Sequence, residues 1–175
     1  GIGSFTISTW VNANSIPESN IANRFIWKNE GSDIFNGYYL MLFGPSFVFG
    51  VGDGTSKIEP NWAGAIKDKW YHVVGVRDKG SGTVKLYING EEKSSLSDST
   101  MDINYNGNLQ IGGRNTEYFN GKMDDVQIYD RALTEQEIHD LYLEQLNDIH
   151  APDINFTAPT TPSGIQNTNN IFVNV

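Results

Sequence analysis

The sequence has no cysteine, so neither a disulfide framework nor a thiolate-held metal can organise the fold. Basic residues are few: 12 Lys and Arg stand against 21 Asp and Glu, a net charge of −9. A phosphate-binding surface needs a basic patch, and none is visible, which argues against nucleic acid or an anionic membrane as partner. No apolar run approaches the length that crosses a bilayer, so no membrane insertion is expected of this segment. No signal-peptide pattern opens the chain at Gly1, and any targeting segment is expected outside these residues. Phosphate-cradling Gly-Lys-Ser/Thr loops and His-rich zinc motifs are missing as well.

What is present suits an all-β protein. Eighteen glycines and many short aromatic-rich runs give frequent turns between strands, and 175 residues suffice for one sizeable domain plus a tail. Strand patterns run over residues 4–11, 24–29, 38–43, 47–51, 55–59, 70–78, 83–88, 91–93 and 109–112. In the first of these, Phe5, Ile7 and Val11 share one face and Trp10, Thr6 and Ser8 the other, so one side is core and the opposite side is at least partly covered. Residues 60–64 read as a loop carrying Trp62, and residues 94–108 as a polar, solvated loop whose Asp98, Asp102 and asparagines match no calcium-loop spacing.

The stretch 118–142 carries the densest signal. After the Asn120-Gly121 turn the residues alternate like a strand, with Met123 on one face and Asp124, Val126 and Ile128 on the other. An inward carboxylate at Asp124 must then be paired, hydrogen-bonded or bound to a metal. Thr134 follows as an N-cap, Glu137 closes a capping box, and Leu133 with Ile138 forms a hydrophobic staple. Ile138, Leu141, Tyr142 and Gln145 then make one narrow face that can dock on a sheet.

At these residues the chain resembles the LamG-like jelly-roll domains of the concanavalin A-like lectin and glucanase class. The family's closing pattern is met by Gly121, Met123, Asp124, Asp125, Val126, Tyr129, Arg131, Ala132, Leu133, Thr134, Glu137, Ile138 and Leu141. SFTISTWV at residues 4–11, WYHVVGVR at 70–77 and VKLYINGE at 84–91 follow in family order. The resemblance implies an all-β, two-sheet antiparallel jelly-roll sandwich with one short C-terminal helix, occupying residues 1–149. Residues 150–175, with Pro152, Pro159 and Pro162, are expected to be a linker and the first strands of a following immunoglobulin-like domain, or a donor strand. Family domains usually carry a strand before residue 4. Its absence implies an edge that is either covered otherwise or filled by a strand from elsewhere, for which residues 170–175 have the right alternation.

The implied function is a non-catalytic extracellular or cell-surface recognition or adhesion module within a larger surface protein, binding a glycan or a surface protein. The alternative is a structural subunit of a surface layer or fibre, joined to copies of itself by strand exchange. Glucanases of this class use a Glu-x-Asp-x-Glu style strand, which is absent: Asp124 and Asp125 are adjacent and point to opposite faces. His72, His139 and His150 have no serine or cysteine pattern beside them that would make a nucleophile. Sugar sites need flat aromatic faces with amides and carboxylates around them. Trp62 is the leading candidate, with Tyr105, Asn115 and Tyr118 beside it and Arg114 weaker, while Trp10, Trp27 and Trp70 are assigned to packing. The resemblance also implies a structural Ca²⁺ at the sheet rim, with Asp124 as its ligand or else a hydrogen-bonded carboxylate.

Overall fold

The computed structural model describes residues 3–19, 21–29, 35–104, 106–114 and 117–148. The elements in chain order are β1 (Phe5–Ala13), β2 (Ala22–Asn29), β3 (Asn36–Phe43), β4 (Ser46–Asp53), β5 (Lys57–Ile58), β6 (Asn61–Ala63) and β7 (Trp70–Asp78). They continue as β8 (Thr83–Ile88), β9 (Glu91–Ser97), β10 (Gln110–Ile111), β11 (Gly113–Arg114), β12 (Glu117–Tyr118), β13 (Gly121–Tyr129) and the helix α1 (Glu135–Asp148). One antiparallel sheet has the order β13-β1-β7-β8-β9; the other runs β10-β2-β3-β4-β5, with β6 also paired to β4. β11 and β12 form a small ribbon beside β2. This is the all-β, two-sheet jelly-roll sandwich, with one short helix among the described residues.

Alternation sends Phe5, Ile7 and Val11 of β1 inward to meet Tyr38, Leu40 and Phe49 of the second sheet in one buried core. Each fully buried aliphatic or aromatic side chain there contributes about 1.5–3 kcal/mol relative to exposure. The sheets approach closely at Gly75, where a Cβ would stand 2.4 Å from the Phe49 ring.

The other face of the first sheet is covered by α1. The capping box forms as its residues require: the Glu137 amide donates to Thr134 Oγ1 at 3.2 Å and the Thr134 amide donates to Glu137 Oε2 at 2.8 Å. Leu133 and Ile138, the staple pair, are both buried with Val74, Val76 and Tyr87. Trp10 stacks on Tyr142 and its Nε1 donates to Gln145 Oε1 at 3.0 Å.

Among the described residues three strand pairs slip register by one residue: β8 with β9 at Leu86 and Tyr87, and the two that follow, which decide what faces outward. In β13, Ser8 faces Gln127 but Trp10 faces Asp124, so three steps on β13 oppose two on β1. Asp125 takes up the extra residue with φ at 46°, the conformation of a β-bulge. Met123 and Val126 therefore both pack on the main core, whereas Asp124 and Ile128 are exposed. The inward carboxylate expected at Asp124 is corrected by this bulge. In β2, Arg24 faces Met41 and Ile26 faces Leu40, so Phe25 is the extra residue. Phe25 and Ile26 both enter the core, and Arg24 and Trp27 emerge together on the opposite face.

Three further expectations are revised. Residues 60–64 do not form a plain loop, because Trp62 lies on β6 opposite Phe47. The 94–108 stretch begins within β9 and then folds back: Asp98 is buried against Arg77, whose Nε donates to its Oδ2 at 2.9 Å, and Ile103 reaches the core. β1 is no edge, since β13 and β7 flank it, so no strand from elsewhere is needed beside it. The proposed donor strand and the linker lie outside the described residues.

Candidate functional site

α1 leaves the outer face of the second sheet uncovered, and the bulge in β2 determines what stands there. Trp27 and Tyr39 face each other across β2 and β3, their rings stacked at 5.2 Å and 13°. Arg24 is brought to the same face, its guanidinium carbon 4.9 Å from the Trp27 ring centroid. Tyr39 in turn lies across Gly50 of β4, where an added Cβ would meet the ring at 2.2 Å, and the edge of Phe35 closes on it at 4.8 Å. Glycine is required at position 50 because the aromatic ring occupies the space of its side chain.

Around this floor the strands β2 to β6 enclose a groove of about 610 Å³. Its rim is polar: Arg24, Asn29, Ser46, Thr55, Lys57, Glu59 and Asn61 line it. The Tyr39 hydroxyl donates to Glu59, and Lys57 Nζ lies 2.8 Å from the same carboxylate. Burial pushes the Glu59 carboxyl above its ordinary value. Asp53 fixes the β4–β5 turn by accepting the amides of Thr55 and Ser56, both at 2.7 Å, and that of Met101 at 2.6 Å. Burial alone would raise the Asp53 carboxyl, but these amides hold it below the usual range. The Asn36 amide donates to Asn29 Oδ1 at 2.8 Å, fixing Asn29 at the groove's end.

The Trp27 and Tyr39 ring faces are largely covered, at 6% and 4% exposure, by each other and by Arg24 and Phe35. The groove therefore presents hydrogen-bonding groups at its rim and an aromatic surface beneath Arg24. Glu59 is the one carboxylate among the described residues lining it, and the paired-carboxylate geometry of glycoside hydrolysis is not built there.

The residues singled out in the sequence lie elsewhere. Trp62 is on the core side of its sheet, packed with Phe47 and Tyr71 at the sandwich rim. Its ring borders a separate depression of about 540 Å³ with Lys93, His139 and Tyr142, and Lys93 Nζ stands 5.9 Å from its centroid. Tyr118 is 75% exposed on β12, beside β2 and thus at the opposite edge of the sheet from Trp62. Tyr105 and Asn115 lie outside the described residues, as does the Arg114 side chain.

Asp124 is exposed and its Oδ1 accepts the Asp125 amide at 2.9 Å. Among the described residues no three His, Asp or Glu side chains gather to hold a metal ion. A calcium ion takes six to eight oxygens, and the single carboxylate at Asp124 does not fit that need.

Trp27, assigned to packing by its place in a strand, is indeed packed, but with Tyr39, Met41 and Val48 on the outer face of its sheet rather than in the inter-sheet core; that placement is what sequence reasoning missed. The signal was the adjacent apolar pair Phe25-Ile26, which a strictly alternating half-buried strand does not accommodate. The topology also creates a pair that local spacing hides: Ser8 Oγ lies 2.7 Å from His72 Nε2. Both side chains have no solvent exposure, so this is a packed polar contact without access for a substrate.

The family described as the concanavalin A-like lectin/glucanases superfamily matches residues 2–139. No curated protein matches the sequence. Among solved structures, the botulinum neurotoxin serotype C1 binding domain is similar with a TM-score of 0.65 and 18% identity, over 81% of this chain and 36% of that one. A botulinum neurotoxin DC binding domain in complex with rat synaptotagmin II gives 0.64 and 18%, over 82% and 36%. A serotype D ligand binding domain in complex with N-acetylneuraminic acid gives 0.64 and 20%, over 82% and 37%. The chain thus spans little more than a third of these neighbours, and identities so low speak for the fold alone.

Proposed function

The chain belongs to the concanavalin A-like lectin/glucanases superfamily, and from that premise we propose that it is a non-catalytic recognition module whose second-sheet groove binds carbohydrate. Its proposed setting is the cell surface or the extracellular space, within a larger protein. The observation that carries the reading is the groove itself: concave, open on the face that α1 leaves bare, and rimmed by Arg24, Asn29, Lys57, Glu59 and Asn61 over stacked aromatic rings. Such a set supplies donors and acceptors for sugar hydroxyls around a floor built on packed aromatic rings. The neighbour in complex with N-acetylneuraminic acid supports a sugar as ligand. A protein ligand is the second reading, favoured by the neighbour in complex with rat synaptotagmin II. Assembly by strand exchange loses its motive at β1, which has partners on both sides.

A glycan array probed with the chain tests this reading. Binding should weaken in Asn61→Ala and Lys57→Ala, whose side chains rim the groove, and persist in Trp62→Ala. Binding that instead depends on Trp62 moves the site to the rim depression. No binding to any glycan defeats the proposal.

A further inference from the structure

Resting on the groove being a sugar site, we infer that Phe43 is the platform on which a sugar ring stacks, and that the ligand is a neutral, extended oligosaccharide laid along β3. Among the described residues, four aromatic side chains line the groove. Trp27 and Tyr39 stack on each other, and Phe35 closes edge-on against Tyr39, so these three rings build the floor. Phe43 differs. It continues the outward row of Tyr39 and Met41 on β3, lines the groove and is 42% exposed. Directly opposite it stand Ala22 on β2 and Ser46 on β4. Cross-strand partners set how much of a ring is covered, and side chains this small leave the Phe43 ring bare.

A single exposed aromatic on an open surface is ordinary. This one lies inside a concavity and beside hydrogen-bonding groups. The Ser46 hydroxyl is its cross-strand neighbour, and Asn61 lies opposite Val48 on the same side of the sheet. Asn61 Nδ2 donates to the Glu59 carbonyl at 3.2 Å, which fixes the amide and leaves its oxygen as an acceptor. A pyranose can lay a face of C–H bonds on the ring while its equatorial hydroxyls reach such groups sideways. The lining continues along β3 from Phe43 to Phe35, about 26 Å at a strand's rise of about 3.3 Å per residue. That is several times the length of one sugar ring. A chain of net charge −9 repels polyanionic glycans, so the ligand that fits is neutral.

Titration calorimetry with cellohexaose, xylohexaose and β-1,4-galactohexaose, each against its mono- and trisaccharide, tests the inference. At least one series should bind, with affinity rising with length. Phe43→Leu keeps apolar bulk without a flat ring and should weaken hexasaccharide binding about three- to tenfold. Phe43→Tyr should retain it, and Ile128→Ala, exposed on the other sheet, should leave it unchanged. Equal affinity of folded Phe43→Leu and the unmodified chain overturns the role of Phe43. A hexasaccharide bound no better than its monosaccharide overturns the extended ligand. Failure of all three series while other glycans bind on the array overturns the inference and leaves the groove a sugar site. Failure of every glycan overturns the underlying reading as well.

Discussion

Ser8 Oγ and His72 Nε2 stand 2.7 Å apart beneath α1, and the imidazole is enclosed by Trp10 at 5.2 Å and Tyr142 at 6.0 Å between ring centroids. Burial pushes the His72 pKa down to about 4, because a cation there would lose its hydration without gaining a carboxylate. The neutral ring thus stabilises the fold fully above the unfolded value of about 6.5, and this contribution is lost as pH falls toward about 4. Over that window the loss is about 3 kcal/mol. Urea unfolding between pH 7.5 and 4.5 should show it, and His72→Gln should flatten the profile. Parallel profiles for the two proteins would remove His72 as the cause. Glu59, whose pKa is raised by burial, works in the opposite sense and cannot mimic it.

The buried pair of Arg77 and Asp98 ties β7 to the segment after β9. Arg77 also donates to Thr100 Oγ1 at 2.8 Å and to the carbonyls of Gly3 and Met101 at 3.3 and 2.5 Å. Arg77→Met leaves the Asp98 carboxylate buried without its guanidinium and should cost about 3–5 kcal/mol in denaturant unfolding. The double variant Arg77→Met, Asp98→Leu should recover much of this.

At Gly50, Ala should drive the Tyr39 ring off its seat and into the groove. The expected cost is about 1–3 kcal/mol from overpacking, together with weaker glycan binding measured at a temperature where the variant is folded. Unchanged affinity would mean that the ring does not form the groove's floor.

Thr134→Ala removes the oxygen that accepts the Glu137 amide and should lower stability by about 1 kcal/mol. The Arg131 guanidinium, bound to Glu137 at 2.8 and 2.9 Å, together with the Thr134 amide and hydroxyl, holds the Glu137 carboxyl down at about 2. The box therefore persists until strongly acidic pH, and circular dichroism of α1 should not respond to Glu137 between pH 7 and 4.

The cap and staple of α1 were readable because every partner lies within five residues of Thr134, where spacing alone fixes geometry. The faces of β1 were readable because its alternation is unbroken against β7. Asp124 was placed on the wrong face because it lies next to an inserted residue, and a period-two count carries no record of where pairing slips. Arg77 with Asp98, and Ser8 with His72, join residues 21 and 64 positions apart. Their meeting depends on strand order, which side-chain periodicity does not encode.

The bulge at Phe25 has a bearing on how relatives of this chain are compared. Deleting that one residue, without altering any other, would exchange the sides of the sheet on which the residues before it stand, sending Arg24 toward the interior and Asn23 toward the groove. In a homologous chain lacking the insertion, the position aligned with Arg24 faces the core rather than the groove. Ligand preference within this superfamily can therefore diverge through gaps in an alignment as readily as through substitutions, and a gap-free column at this strand would join residues that never occupy equivalent space.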